Sequence, residues 1–217
     1  MTYDLVIFDC DGVLVDSEVI SCRVHAETLT RHGYPITTEQ VAERFLGRSG
    51  REARREIEAE LGRAFADEFE AQLVADLLRS FADSLEPIPF INDALDAIAQ
   101  PVCVASSGTP ERISFALNRT GLYQRFAPNL FSAEQVANGK PAPDLFLHAA
   151  RQMGVAPGRC VVVEDSVPGI LGATAAGMAV LGFVGGSHCV PGMDARLSAA
   201  GAAQVFADMR QLPEIIR

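Results

Sequence analysis

Residues Leu5–Phe8 form an unbroken apolar run, and the chain leaves it through two aspartates, Asp9 and Asp11, followed at once by Gly12. A run this short and apolar, flanked by polar residues, reads as a fully buried strand. Carboxylates at the end of a buried strand are costly unless a cation, hydrogen bonds or raised pKa values accommodate them. Open α/β sheets place their ligands outside the carboxyl ends of their strands. The start of the chain therefore reads as half of an active site, with one carboxylate to attack, one to handle protons, and both near a metal. The other reading of these residues is a solvated turn that closes a strand, and the rest of the chain decides between the two.

Apolar strand-like runs recur at Val102–Ala105, Val161–Val163 and Val180–Val184, with a weaker one at Gln204–Phe206 and helical stretches between them. Buried strands separated by helices imply an α/β fold with a parallel sheet covered by helices on both faces. The first gap differs. From Asp16 to about Pro87 no strand pattern emerges, and amphipathic helical stretches cover Ser21–Arg31, Thr38–Phe45, Arg51–Leu61 and Asp67–Phe81. Pro35, Gly47, Gly50 and Gly62 punctuate them. Thr37 and Gln40 have the spacing of a capping box. The expected organisation is a Rossmann-like core from residues 1–15 and 88–217, with an all-helical insertion over 16–87.

The 217 residues suffice for such a core without covalent staples. The balance of 28 acidic against 18 basic residues argues against a nucleic-acid or anionic-membrane partner, which favours a basic face. An anionic small substrate stays compatible, because a few local cations and a metal reverse the field inside a pocket. The cysteines, Cys10, Cys22, Cys103, Cys160 and Cys189, are scattered and form no C-x-x-C pair. No basic segment leads into an apolar stretch at the amino terminus, and no apolar run spans a bilayer. The expectation is a reduced, cytoplasmic, soluble protein.

Three later segments carry chemistry. In VCVASSGTPERI a strand ends in Ser106-Ser107-Gly108-Thr109 and a helix starts at Pro110. Hydroxyls and free amides there make either an anion cradle or an ordinary polar loop with an N-cap. In GKPAPDLF, Lys140 precedes Pro141 and so stands outside a helix interior. A lone lysine is ordinarily a solvated charge. Asp144 reads as a helix start. In CVVVEDSVPGI a buried strand again ends in carboxylates, Glu164 and Asp165, with Ser166 and Gly169 as loop and close-packing residues. Asp9 and Asp165 together offer hard oxygen ligands of the kind Mg²⁺ prefers.

The string D-x-D-G-x-L-x-D-S of Asp9–Ser17 resembles the first signature of the haloacid dehalogenase superfamily of phosphohydrolases, and the three later segments match its further signatures in order. The resemblance implies that Asp9 is a nucleophile forming an aspartyl-phosphate and that Asp11 is the acid and base. It gives Ser106 a phosphoryl oxygen, with Ser107 helping through its amide, and makes Lys140 the group that neutralises charge on nucleophile and phosphate. It gives Mg²⁺ to Asp9, the Asp11 carbonyl and Asp165, with Glu164 acting through water. Members that cleave carbon–halogen bonds lack an acid at Asp11. A carbon–phosphorus hydrolase would place a lysine in the cap, where Gly47-Arg48 has arginine.

The helical insertion is similar to the cap of the β-phosphoglucomutase-like subgroup, and Arg44–Arg51 resembles its substrate loop. Gly47, Arg48 and Arg51 are then candidates to meet an acidic substrate; the alternative is solvated charges at a helix start. The mutases carry a histidine where this chain has Ser21, with His25 about one turn further on. That favours a hydrolase. DCDGVLVDSEVISCR, PVCVASSG and KPAPDLFLHAA are most similar to bacterial sugar-phosphate phosphatases of the 6-phosphogluconate group. The implied protein is a monomeric, Mg²⁺-dependent phosphatase of a small phosphorylated metabolite, 6-phosphogluconate foremost. The rivals are a phosphosugar isomerase and a non-catalytic phosphometabolite sensor.

Overall fold

The computed structural model describes residues 3–48 and 50–217. Strand β1 (Leu5–Phe8) leads into four helices, α1 (Glu18–Arg31), α2 (Thr38–Phe45), α3 (Gly50–Leu61) and α4 (Glu68–Ser84). Then follow α5 (Ile91–Ala97), β2 (Val102–Ser106), α6 (Pro110–Arg119), α7 (Tyr123–Phe126) and β3 (Leu130–Ser132). The chain closes with α8 (Asp144–Gln152), β4 (Cys160–Glu164), α9 (Val167–Ala175), β5 (Ala179–Phe183), α10 (Met193–Ala200), β6 (Gln204–Phe206) and α11 (Leu212–Ile215).

The strands form one parallel sheet in the order β3-β2-β1-β4-β5-β6. This is the doubly wound order, and its direction reverses between β1 and β4. Asp9 therefore leaves the sheet beside Glu164 and Asp165, at the crevice where such sheets bind ligands. The register makes this concrete: Phe8 pairs with Val163, and the Asp9 amide donates to the Val163 carbonyl at 3.0 Å.

Alternate residues of each strand enter different cores. Val6, Phe8, Val104, Val161 and Val163 belong to the layer shared with the α1–α4 insertion. Leu5, Ile7, Cys103, Cys160 and Val162 pack under α8, α9 and α10. That period of two explains why these strands are apolar throughout rather than alternating. The insertion has its own apolar seam, with Val24, Leu29, Val41, Phe45, Phe69 and Leu77 buried. The capping box expected at α2 is present: the Gln40 amide donates to Thr37 Oγ1 at 3.3 Å, and the Thr37 amide to Gln40 Oε1 at 2.9 Å.

Strand β3 and helix α5 are among the elements that go beyond the sequence expectation. Strand β3 is three residues at the sheet edge, too short for a periodicity signal. Helix α5 is a seven-residue stretch beside the prolines that mark the return to the sheet. Strand β5 starts one residue before the expected run.

Candidate active site

Lys140 organises the floor of the site. Its ammonium is 1% exposed and donates to Asp9 Oδ1 at 2.7 Å and to Glu164 Oε1 at 2.6 Å. The other Glu164 oxygen accepts from the amides of Asp165 and Ser166 and from the Ser166 hydroxyl, each at 2.9 Å. A Cβ at Gly169 would stand 1.9 Å from that carboxylate, so glycine is what lets α9 pack over it. Asp165 is 1% exposed, and its Oδ2 lies 3.0 Å from His188 Nε2 without forming a well-directed hydrogen bond. Asp9, Glu164 and Asp165 offer oxygens that all lie within 4.8 Å of one another.

Three carboxylates thus crowd one ammonium. Burial pushes the Asp9 carboxyl well above the usual range; Lys140 opposes this, while Glu164, Asp165 and Asp11 reinforce it. Burial raises Asp165 in the same way, helped by Glu164 and Glu18. For Lys140, burial works against the charge, but Asp9 and Glu164 outweigh it and hold the ammonium above its ordinary value. Three buried carboxylates with oxygens within 4.8 Å of one another, against one ammonium, are the environment a hard divalent cation fits.

Asp11 stands at the mouth. Its Oδ1 accepts from the Ser17 hydroxyl at 2.5 Å and from Arg112 Nη2 at 2.7 Å. Gly12 has φ +78°, and a Cβ there would fall 1.9 Å from Asp165 Oδ2, so the turn passes directly over that carboxylate. Ser106 is fully buried, and its Oγ accepts from the Gly108 amide at 3.0 Å. Ser107 takes the outer position on the wall, and its hydroxyl donates to the Gly47 carbonyl at 3.3 Å.

That last bond brings the Gly47 loop onto the core. Gly47 has φ +78°, and a Cβ on it would meet Ser166 Oγ at 2.4 Å. Arg48 lines the cavity but donates to Glu56 Oε2 at 2.8 Å and lies over the Phe45 ring. Arg51 is exposed on α3 and away from the lining residues. Ser49, within the same loop, lies outside the described residues. Arg44 donates to Glu56 at 2.9 Å and lies over Phe45, stitching α2 to α3. The cavity between strand ends and helices measures about 160 Å³.

Sequence reasoning passed over three residues of the site. Arg112, in the first turn of α6, reaches Asp11; its S-G-T-P-x-R context reads only as a capped helix start, and Thr109 does cap it. Glu18 lines the cavity, and burial, reinforced by Asp11, pushes its carboxyl up to about 7. His188, in the loop after β5, is 4% exposed with Nε2 3.0 Å from Asp165 Oδ2. No strand-end motif announces it, since the loop reaches the site only through the fold.

His25 also reaches the cavity, together with Ser21. Burial, reinforced by the Arg112 charge, pushes its imidazole down to about 4 from an ordinary 6.5. Nδ1 lies 2.7 Å from the Ser21 carbonyl. The neutral ring therefore donates there and leaves Nε2 bare. The unfolded chain takes up this proton near pH 6.5 and the folded chain only near 4. Stability from this group is thus full above 6.5 and falls as the pH drops toward 4, by up to about 3 kcal/mol. Melting curves of wild type and His25→Gln across that window should show the gap moving against wild type as acid is added. A constant gap would mean that the ring charges freely in the fold.

With this geometry in place, the relatives of the chain are informative. The family model of the haloacid dehalogenase-like hydrolases matches residues 3–177. The 6-phosphogluconate phosphatase of Escherichia coli (strain K12) is 33% identical, over 98% of this chain and 94% of that protein. A conserved haloacid dehalogenase-like protein of unknown function from Agrobacterium tumefaciens str. C58, ATU0790, is 42% identical, with a TM-score of 0.82 over 99% of this chain and 97% of its own. A haloacid dehalogenase family hydrolase from Deinococcus radiodurans R1, solved with bound phosphate and sodium, is 30% identical, with a TM-score of 0.74 over 97% and 93%. The chain belongs to the haloacid dehalogenase-like hydrolases. Within them it is a phosphoric monoester hydrolase.

Proposed function

We propose that the protein is a Mg²⁺-dependent phosphatase of a small sugar or sugar-acid phosphate, with 6-phosphogluconate as the leading substrate. The observation that carries this reading is Lys140 bridging Asp9 and Glu164 beneath the cavity, with Asp11 at its mouth. The named activity of the Escherichia coli relative supports the substrate choice.

Asp9 Oδ attacks phosphorus in line, and the bond from phosphorus to the sugar oxygen breaks as Asp11 protonates that oxygen. Water then attacks the aspartyl-phosphate, Asp11 takes its proton, and phosphate leaves. Lys140 holds Asp9 in position and balances charge on the transferring group, while Ser106 and Ser107 orient its oxygens. Asp9, the Asp11 carbonyl and Asp165 would hold Mg²⁺, with Glu164 behind them, and the ion would draw charge from the phosphoryl oxygens. Residues 16–87 act as a cap that closes over the core formed by 1–15 and 88–217, and the Gly47 loop lands on Ser107 and Ser166. A cap supplied by the same chain suits a monomer. All five cysteines are free, which suits a reducing cytoplasm. Among the described residues no helix is long and apolar enough to cross a membrane.

The test is phosphate release from a panel of sugar phosphates, including 6-phosphogluconate and β-glucose 1-phosphate, with Mg²⁺ and after chelation. The expected result is release that chelation stops and added Mg²⁺ restores. Conversion of glucose 1-phosphate to its isomer, without free phosphate and only when a bisphosphate is added, would transfer the reading to the isomerase.

A further inference from the structure

The cavity wall carries Arg48, Arg54 and Arg112 among the described residues. The first two are engaged by cap glutamates: Arg48 by Glu56 at 2.8 Å and Arg54 by Glu58 at 2.9 Å. Arg112 is placed differently. It belongs to the core helix α6, its side chain is 19% exposed, and one terminal nitrogen serves both neighbours, Asp11 Oδ1 at 2.7 Å and Ser21 Oγ at 3.0 Å. The guanidinium is backed by the Phe81 ring, 5.4 Å from its centroid. Three parts of the molecule therefore hold it in one pose: the loop after β1, helix α1 and helix α4.

One of its donors is buried without a partner. Arg112 Nε is buried and has no hydrogen-bond acceptor. A buried N–H on a cation without a partner is destabilising, and an oxygen brought by a ligand would remove that penalty. Arg112 stands beside Asp11, the carboxylate that would meet the leaving oxygen, and lines the cavity. A guanidinium fork matches the two coplanar oxygens of a carboxylate.

We infer that Arg112 is the specificity-determining residue that receives a carboxylate carried by the leaving alcohol, so that the site selects a phosphorylated sugar acid over the matching neutral sugar alcohol. This deepens the phosphatase reading above and rests on it. It also moves recognition of the acid from the cap arginines to the core, next to the reacting atoms.

Two substrate pairs that differ only in carboxylate against hydroxymethyl test the inference: 6-phosphogluconate with sorbitol 6-phosphate, and 3-phosphoglycerate with glycerol 3-phosphate. Wild type should prefer the acid by about 100-fold in kcat/KM in at least one pair, expressed mainly in KM. Arg112→Met should collapse that preference to about 3-fold or less, and Arg112→Lys, which keeps the charge but lacks the planar fork, should retain only a minor part of it, with melting temperatures near wild type in both variants guarding against misfolding. An equal fall in kcat for acid and alcohol in Arg112→Met would overturn the inference, since Arg112 would then act only by holding Asp11. So would a wild type indifferent to the carboxylate in both pairs. If wild type hydrolyses none of the four, the substrate reading fails, and the same compounds are compared as inhibitors of p-nitrophenyl phosphate hydrolysis. Stronger inhibition by the acids, lost in Arg112→Met, would keep the inference, and equal inhibition would end it.

Discussion

Asp9→Asn is expected to abolish turnover while leaving the protein folded and no less stable. The amide keeps the shape of the side chain and an oxygen that accepts from Lys140, but it is not a nucleophile toward phosphorus. A loss of at least about 10⁴-fold in kcat is the scale for removing an attacking group. The stability half of the expectation follows from the charges. Asp9 is buried against Glu164 and Asp165, and burial with that crowding already works against its ionised form. Removing the charge relieves repulsion in the metal-free protein, so the melting temperature should stay within about 3 °C of wild type or rise. Steady-state kinetics and a thermal melt on one preparation read both halves. Near-wild-type turnover would remove Asp9 from the nucleophile role.

Lys140→Met should behave in the opposite way, losing activity and stability together. Methionine fills similar volume beside Phe146, over whose ring the ammonium lies at 5.2 Å. It leaves Asp9 and Glu164 buried without their shared cation. Breaking a buried ion pair from one side costs about 3–5 kcal/mol. For a chain of this size that lowers the melting temperature by roughly 6–20 °C. Adding Glu164→Gln to this variant should recover part of the loss, because it removes one unpaired charge and keeps an acceptor for the 165 and 166 amides. It should not recover activity. A melting temperature unchanged by Lys140→Met would show that water reaches the cluster, and the dry floor assumed for the mechanism would have to be abandoned.

The contrast between Lys140 and Arg112 shows which functional residues a sequence displays. Asp9, Asp11, Glu164 and Asp165 follow on apolar strands, so their placement at a sheet edge was legible from local pattern, whereas Lys140 stood out only because its proline-dense string resembles a family signature. Arg112 and His188 have no such context. One stands in a helix start that looks solvated, the other in a loop after a strand, and only packing brings them within 3.0 Å of Asp11 and Asp165 respectively. For the cap arginines the sequence left two readings, substrate contacts by resemblance or solvated charges, and the structure adds that Arg48 lines the cavity while pairing with Glu56 and that Arg51 is exposed.

By itself the sequence determined the alternation of buried strands and helices, the helical insertion after the first strand, and the strand-end carboxylates. These depend on periodicity and burial within short windows, where side-chain chemistry acts locally. Tertiary structure decided the rest: the meeting of β1 and β4 at the reversal of the sheet, the ammonium of Lys140 between Asp9 and Glu164, and the seating of Arg112 against both core and cap. Each of these joins residues far apart in the chain. The energy that fixes them comes from burying charge against charge across the fold, which no stretch of sequence expresses alone.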